Sequence, residues 1–389
     1  MFRRRKSFPP RPRRRGLAEA SLDWHIQAAV AAMGAKRAVG PRQRNRIKLS
    51  GVPREDLEVI LERVRGVADW SREWMRYAEI QEAAGDYEKA AAAAYLGQLL
   101  ISIHHPTKQW FIQTMQRCHR LARNQRTDLC VERVELGEGK LVGLWETPRE
   151  VLLPPVLMLA PLACHKEELT PLADPLLEQG HPVLRLDLPG QGESPHPLRP
   201  DSELLLLDAV NEMRWSRFFV GGISLGSFYA LRLAATAPER VCGVFAVSPP
   251  AILNEQEWAN QLEIIWQYLD YYFDTETRQE THELAMQLNL EDCADRVGCP
   301  VILYHATKDR INSPRAREIY RDLLPSADLT DFLLPDAHAC PYHLRPRIGP
   351  EISRWAQRIA EPTMEPATEP SVGRTEGLGQ KLVQIGGNG

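Results

Sequence analysis

Gly222-Ile223-Ser224-Leu225-Gly226 follows the apolar run 217–221 and precedes the helix-forming segment SFYALRLAA. A G-x-S-x-G pattern between a strand and a helix holds its serine on a sharp, strained turn, with the hydroxyl clear of the backbone. The flanking glycines lack a Cβ, so the strand and the helix can pass close to each other. The pattern therefore predicts Ser224 as a nucleophile at the carboxyl end of a buried strand.

The sequence around this turn alternates between strands and helices. A hairpin is predicted around Gly137-Glu138-Gly139, and helices separate the later strands. This alternation favours right-handed crossovers and a mostly parallel sheet, hence an α/β fold class. The predicted strands are 131–136, 141–146, 155–160, 182–189, 217–223, 241–248, 301–306 and 329–334, and the predicted helices are 167–179, 225–237, 315–323 and 347–360.

The chain changes character near residue 129. Residues 17–128 carry helical periodicity and predict an all-helical N-terminal domain, whereas residues 129–360 predict the α/β domain. The segment 250–298, between the predicted strands 241–248 and 301–306, is too long for a simple crossover. It is rich in aromatic residues, and we interpret it as a helical cap insertion. Residues 1–16, a basic arm, and residues 361–389, with repeated Glu-Pro, are expected to be disordered.

Composition excludes several classes of protein. Forty-three per cent hydrophobic and 25% charged residues are typical of a globular chain. No apolar run approaches the roughly 20 residues that cross a bilayer, so no membrane span is predicted. Seven cysteines without a C-x-x-C pair disfavour a disulfide scaffold and a zinc site, and favour a reducing, cytoplasmic location. No cluster has metal-ligand spacing, and no metal or cofactor is predicted.

The net charge of −3 hides an asymmetry. Residues 1–48 carry 14 Lys or Arg residues against two carboxylates, whereas the remainder of the chain is acidic. The arm contains few interleaved aromatic residues, which makes nucleic-acid contact an unfavoured interpretation. The expected partner is a small-molecule substrate, and a homodimer is left open.

A serine hydroxyl needs a base and an acid, which in sheets of this kind follow later strands in the order Ser, Asp or Glu, His. Asp309 lies just beyond the predicted strand 301–306, and His338 follows the strand 329–334. His338 Nε2 would take the Ser224 proton, and Asp309 would hold the Nδ1–H.

Other residues compete for these roles. His343 is an alternative base, and Asp336 is an alternative acid, although its position two residues before His338 disfavours it. Asp295 precedes its strand instead of following it. We interpret His165 and His305 as hydrogen-bonded structural residues.

An oxyanion needs two backbone donors. One is expected from the Leu225 amide, at the helix N-terminus beyond the serine. The other is expected from the loop after strand 155–160, where Pro161 has no N–H, so Leu162 is the first candidate and Ala163 the second. Cys164 lacks a nucleophile turn and is interpreted as a wall of the substrate site.

The motifs LDLPGQGES, GGISLGS, ATKDRI and DAHAC, in this order, resemble the α/β-hydrolase superfamily. The helical segment AGDYEKAAAAAYLGQLL, a loop ending in KEE and a His-x-Cys resemble the group with a helical N-terminal cap domain. This group includes the fermentation/respiration switch protein, 2,6-dihydroxypseudooxynicotine hydrolase and the Ayg-type pigment hydrolases. The resemblance implies a Ser224, Asp309 and His338 triad under a helical cap, and several members cleave carbon–carbon bonds next to a ketone.

The cap is expected to contribute to substrate binding. An acidic cap residue assists some relatives, and Glu255 or Glu257 is its counterpart by this resemblance. Trp258 is a second candidate, because the aromatic insertion suggests an apolar pocket.

Taken together, these patterns predict a serine hydrolase that acts through an acyl-enzyme on an ester or a ketone C–C bond of an apolar or aromatic, polyketide-like small molecule. An acyltransferase or thioesterase of a biosynthetic pathway, using the same triad, is the alternative. A non-catalytic interaction protein is a third, less favoured interpretation.

Overall fold

An eight-stranded sheet lies at the centre of the protein, in the order β1-β2-β4-β3-β5-β6-β7-β8. The computed structural model describes residues 51–250, 255–259 and 261–361. The β1–β2 and β2–β4 pairs are antiparallel, and every other pair in the sheet is parallel. All eight predicted strands are confirmed. They are β1 Leu129–Leu136, β2 Leu141–Pro148, β3 Val156–Leu159, β4 Val183–Leu186, β5 Phe218–Ile223, β6 Val241–Val247, β7 Val301–Ala306 and β8 Leu329–Leu334.

Helices cover both faces of the sheet, and the described segment before β1 is also helical. Every residue of β3, β4, β5 and β6 is buried, as expected for strands covered on both faces. The helices are α1 Arg54–Arg63, α2 Val67–Ala83, α3 Tyr87–Gly97, α4 Pro106–Asn124, α5 Thr170–Glu178, α6 Ser202–Glu212, α7 Leu225–Thr236, α8 Glu255–Ala259, α9 Glu263–Phe273, α10 Arg278–Ala285, α11 Ala316–Leu323 and α12 Gly349–Ala360. No helix in these described ranges is long and apolar enough to cross a membrane.

The four predicted sheet-flanking helices are present, with small shifts of their ends. The predicted helix 167–179 begins with a 3₁₀ turn, Lys166–Leu169, and continues as α5. Helix α6 was not predicted, because its Leu204–Leu207 run has no clear helical period in the sequence.

Helices α1–α4 pack around their own apolar cluster, which includes Trp70 and Trp74. The Trp70 indole donates a hydrogen bond to the Leu96 carbonyl at 3.0 Å, which fixes α2 against α3. This confirms helical structure for the described part of the N-terminal segment. The basic arm 1–16, residues 17–50 and the tail beyond residue 361 lie outside the described residues.

The insertion 250–298 contributes its aromatic rings mainly to the core. Tyr268, Tyr272 and Phe273 on α9 are buried in the same cluster as the interior of the sheet. Lys108 on α4 donates to the Tyr268 hydroxyl at 3.0 Å. The insertion therefore packs into the core of the α/β domain and contacts the N-terminal helices through Tyr268.

Candidate active site

Ser224 lies on the turn between β5 and α7 with φ 52° and ψ −123°. A non-glycine residue in this region carries about 1–3 kcal/mol of backbone strain, which the surrounding structure must offset. Part of that restraint is the hydrogen bond from the Ser224 amide to the Val247 carbonyl, at 2.8 Å. Buried β5 and α7 on either side hold the turn in place, with its hydroxyl at the carboxyl edge of the sheet.

The two glycines of the motif are required by close backbone contact. A Cβ at Gly222 would lie 2.6 Å from the Leu159 carbonyl oxygen, and one at Gly226 would lie 2.3 Å from the same atom. The obstacle is the backbone of β3, which cannot rotate away as a side chain could. The sequence expectation that these glycines let strand and helix pass closely is borne out by these distances.

A Gly226→Ala substitution is expected to destabilise the protein by about 2 kcal/mol or more, because the new methyl group overlaps the β3 backbone. The matched control is Gly298→Ala, since a Cβ there meets nothing within 4 Å and the residue has no positive φ. That control is expected to change the free energy of unfolding by less than about 1 kcal/mol. Urea denaturation measures both, and equal effects at the two positions would contradict the steric argument.

His338 contacts both of its predicted partners. Its Nε2 lies 2.9 Å from Ser224 Oγ, and its Nδ1 lies 2.8 Å from Asp309 Oδ2. A carboxylate only accepts hydrogen bonds, so the ring carries its proton on Nδ1 and accepts the serine O–H at Nε2. The structure thus brings three side chains that are distant in sequence into one hydrogen-bonded chain.

Asp309 is held by the turn that follows it. Its Oδ1 accepts hydrogen bonds from the Ile311 and Asn312 amides at 2.8 and 3.1 Å. Burial raises the pKa of Asp309, but the hydrogen bonds from His338 and these amides outweigh burial and hold that pKa below its usual value. Asp309 therefore remains a carboxylate that can stabilise a charged imidazole.

Asn312 is a positioning residue that the sequence analysis missed. Its side-chain amide donates to the Ser248 and Pro249 carbonyls at 3.0 Å each, which ties the Asp309 turn to the end of β6. The Asp309 carboxylate itself forms an Asx-type turn with the Ile311 amide two residues on, and this turn places Asn312 beside it.

The loop that carries His338 is strained and anchored. In this loop, Ala339 and Cys340 have φ values of 67° and 48°. Ser248, which directly follows β6, has a φ of 49°. Ser248 Oγ accepts a hydrogen bond from the Ala339 amide at 3.0 Å. The strain lies directly beside His338, and the anchor fixes the direction in which the imidazole points.

The alternative base, His343, and the alternative acid, Asp336, pair with each other. His343 Nδ1 lies 2.7 Å from Asp336 Oδ2, and the Tyr342 amide donates to the same oxygen at 3.0 Å. This second pair closes the loop on which His338 lies. His305, interpreted as structural, is buried, and burial lowers its pKa to about 4.

The loop after β3 holds one predicted oxyanion donor, Leu162, and the other, Leu225, is the first residue of α7. Neither the Leu162 nor the Leu225 amide donates to another backbone group within the described ranges. Ala163 adopts a positive φ of 68°, and the Gln191 side chain donates to the Pro161 carbonyl at 2.8 Å. These contacts restrain the loop, so its amides keep a fixed direction.

A buried ion cluster supports the other end of this loop. Lys166 Nζ lies 2.8 Å from Asp187 Oδ2 and 3.1 Å from Glu193 Oε2, and the Lys166 amide donates to Asp187 Oδ1 at 2.8 Å. Burial alone would raise the pKa of the Asp187 carboxyl, but the Lys166 ammonium holds it below its usual range. The LDLPGQGES segment, which contains Asp187 and Glu193, therefore orders the loop beside Ser224.

A cavity of about 940 Å³ lies between the N-terminal helices and the α/β domain. The α/β domain contributes His338, Cys164 and Ile223 to its lining, and α3 and α4 contribute Tyr95, Met115 and His119. Cys164 is thus placed as a wall residue. Helices α3 and α4 form another wall of the cavity. The remaining lining residues that bear charges are Asp86, Glu88, Lys89, Arg123, Arg126, Glu167, Glu168, Asp174 and Arg345.

Two of the three candidates in the insertion, Glu255 and Trp258, lie away from this cavity. Glu255 is exposed at the start of α8, and Trp258 is buried with its ring 5.5 Å from that of Trp266. Neither residue lines this cavity. Their role in binding substrate stays a prediction, as does the apolar character expected of the substrate pocket, and the lining of this cavity includes charged as well as apolar side chains.

No group of three or more His, Cys, Asp or Glu side chains is arranged to hold a metal within the residues that the structure describes.

Comparisons with known proteins agree with this architecture. Residues 154–285 match the family model described as the alpha/beta hydrolase fold. The chain is 24% identical over 213 residues to 2,6-dihydropseudooxynicotine hydrolase of Paenarthrobacter nicotinovorans, an alignment that covers 52% of this chain and 56% of that protein. The chain thus spans about half the length of this curated relative.

Two solved structures share the wider fold. The 2,6-dihydroxy-pseudo-oxynicotine hydrolase structure superposes with a TM-score of 0.66 at 19% identity, over 82% of this chain and 95% of that one. Wild-type AbyA5 superposes with a TM-score of 0.64 at 21% identity, over 79% and 94% of the two chains. The protein has the α/β-hydrolase fold with a helical N-terminal segment, which confirms the predicted fold class, and these findings support an enzyme of this type.

Proposed function

We propose that the protein is a serine hydrolase that cleaves an ester, or a C–C bond next to a ketone, through an acyl-enzyme. The observation that carries the proposal is the unbroken hydrogen-bonded chain from Asp309 through His338 to Ser224, together with the cavity that His338 lines. A strained serine turn whose hydroxyl already contacts a base has the geometry of an activated nucleophile.

The mechanism follows from the hydrogen bonds at Ser224. His338 Nε2 takes the hydroxyl proton as Ser224 Oγ attacks the substrate carbonyl carbon, and Asp309 stabilises the resulting imidazolium. The oxyanion accepts hydrogen bonds from the Leu225 and Leu162 amides. The C–O or C–C bond then breaks, and His338 returns the proton to the leaving oxygen or carbon. A water molecule, deprotonated by His338, releases the acid from Ser224.

Cleavage of a C–C bond requires a leaving carbanion that an adjacent ketone stabilises as an enolate. The likeness to the pseudooxynicotine hydrolase supports this version of the reaction. The lining combines Tyr95, Met115 and Ile223 with many charged groups. We therefore propose an aromatic or polyketide-like substrate that carries polar oxygen groups, instead of a purely apolar one.

Substrate turnover tests the reaction class. We expect the purified protein to hydrolyse aryl esters or aryl diketones in H₂¹⁸O, with one ¹⁸O atom in the acid product, because water resolves the acyl-enzyme. An added alcohol or amine acceptor distinguishes the acyltransferase alternative, which would give the acceptor adduct in place of the labelled acid. Absence of both products with both substrate classes would contradict the proposal.

The proposal includes a reducing, cytoplasmic location. It is supported by the absence of a disulfide among the seven cysteines, all of which lie within the described ranges.

A further inference from the structure

A hydrogen-bond donor that the proposed mechanism does not use lies on α4. His119 lines the cavity that His338 also lines, and its neighbours along the same helix, Met115 and Arg123, line it too. These positions are four residues apart, so they share one face of the helix. The cavity wall made by α4 therefore presents polar groups as well as the apolar Met115.

The tautomer of His119 is fixed by Arg185. His119 Nε2 lies 3.2 Å from Arg185 Nη2, and a guanidinium can only donate. Nε2 must therefore accept, and the ring proton lies on Nδ1. Burial lowers the pKa of His119 well below its ordinary value, and the charges of Arg185 and Arg123 lower it further, so the ring is neutral at neutral pH.

Arg185 is itself immobile. It is fully buried on β4, its Nη2 lies 2.7 Å from Glu146 Oε2, and its Nη1 donates to Thr170 Oγ1 at 2.8 Å. A donor held by these contacts cannot turn away from His119. The imidazole is consequently held in one orientation, with Nδ1–H on the side away from Arg185.

The Nδ1–H of His119 has no hydrogen-bond partner among the residues that the structure describes, and Nδ1 is accessible to solvent. One turn along the helix, Arg123 is 6% exposed, and its Nη2 is buried without a partner. Its other nitrogens are engaged, with Nε at 2.6 Å from Glu146 and Nη1 at 2.7 Å from Asp174. A buried unpaired donor such as Arg123 Nη2 costs free energy that a ligand oxygen can recover, and the His119 Nδ1–H is free to donate to the same ligand.

The charges that line the cavity indicate whether the ligand oxygen is neutral or anionic. Five lining residues carry carboxylates and four carry Lys or Arg charges, and Arg123 already pairs with two carboxylates. The wall therefore has no excess positive charge to attract an anion. A neutral acceptor such as a carbonyl oxygen satisfies the donors without bringing a negative charge near Glu167 and Asp174.

We propose that His119, through its Nδ1–H and with the adjacent Arg123, forms a subsite that binds a second carbonyl oxygen of the substrate, distinct from the carbonyl that Ser224 attacks. This inference rests on the proposed function insofar as the cavity is taken to bind the substrate. It assigns His119 to substrate selection, whereas Ser224, His338 and Asp309 carry out the reaction.

Binding without turnover tests the subsite. In a Ser224→Ala background, calorimetry compares a 1-aryl-1,4-diketone with the aryl ketone that lacks the second carbonyl. We expect the diketone to bind more tightly, and His119→Leu to reduce the ratio of the two dissociation constants about tenfold. His119→Asn, which keeps an N–H donor near the Nδ1 position, is expected to retain most of the discrimination.

A third ligand, the matched aryl oxo-acid, distinguishes a carbonyl from a carboxylate. Preferential binding of the acid that His119→Leu abolishes would overturn the choice of an uncharged oxygen. If His119→Leu does not fold, ¹⁵N NMR of the histidine side chains in the Ser224→Ala protein gives the answer. The His119 Nδ1–H signal is expected to shift with the diketone and to stay in place with the simple ketone.

The binding test of the His119 subsite and the turnover test of the proposed function can succeed or fail independently. An unchanged ratio in His119→Leu, or no binding of either ketone, overturns the subsite even if esters are hydrolysed. A ratio that falls as expected supports the subsite even if Ser224 turns out not to be the nucleophile, because the measurement does not require catalysis.

Discussion

Replacing Ser224 with alanine is expected to lower kcat by roughly 10⁵-fold or more and to abolish covalent labelling by a fluorophosphonate probe. The reason is that the substitution removes the only atom that His338 Nε2 contacts along the proposed proton path, while the rest of the turn is unchanged. Alanine also fits the space of serine, so the protein should remain folded. Steady-state rates on an aryl ester, and mass spectrometry of the probe-treated protein, measure the two effects.

Ser227→Ala is the matched control for this variant. Ser227 lies on α7 one turn away, and its hydroxyl donates to the Gly222 carbonyl at 2.7 Å instead of contacting His338. Its loss is expected to cost some stability, about 1 kcal/mol, and to leave probe labelling in place. Labelling of the Ser224→Ala protein at full stoichiometry would rule out Ser224 as the nucleophile.

Replacing His338 with alanine is expected to reduce kcat by about 10⁴-fold or more, because neither proton transfer at Ser224 nor protonation of the leaving group can then occur. His343→Ala is the informative comparison. His343 contacts Asp336 at 2.7 Å and supports the loop without contacting Ser224 in the structure. We expect a loss of less than about tenfold in that variant.

We compare kcat of the His338→Ala and His343→Ala variants, each normalised to the amount of folded protein measured by circular dichroism. If His338→Ala retained near-normal rates while His343→Ala lost them, the base would be His343 and the Asp336–His343 pair would replace the Asp309–His338 pair in the mechanism.

The sequence was most informative where local geometry leaves little choice. Only glycine fits at positions 222 and 226 beside the β3 backbone, so the motif predicts the turn without knowledge of the rest of the fold. The chain order and the common edge at which parallel strands end led to Asp309 and His338, which contact each other and Ser224 in the structure, and their catalytic roles stay a prediction.

Features that depend on contacts between distant segments were not predicted. Arg185 occupies the middle of an otherwise apolar strand and is fully buried, which its ion pair with Glu146 on another strand and its hydrogen bonds to Thr170 and His119 explain. Such an Arg is a signal of a buried charge partner, although the sequence does not say which carboxylate it meets. The resemblance implied a helical cap over the triad, but periodicity predicts a helix without showing which of its residues line a cavity, so the individual lining residues of α3 and α4 were not predicted.

The division of the cavity between two parts of the chain has a practical consequence. The proposed reacting groups come from loops at the sheet edge, whereas His119, Met115 and Tyr95 come from helices that precede residue 125. Libraries that randomise only those helical positions could redirect which compounds are accepted while leaving the bond-breaking apparatus untouched. The same separation offers a route for engineering new selectivity by exchanging α3 and α4 as a cassette, provided that the Arg123–Glu146 link to the sheet is retained.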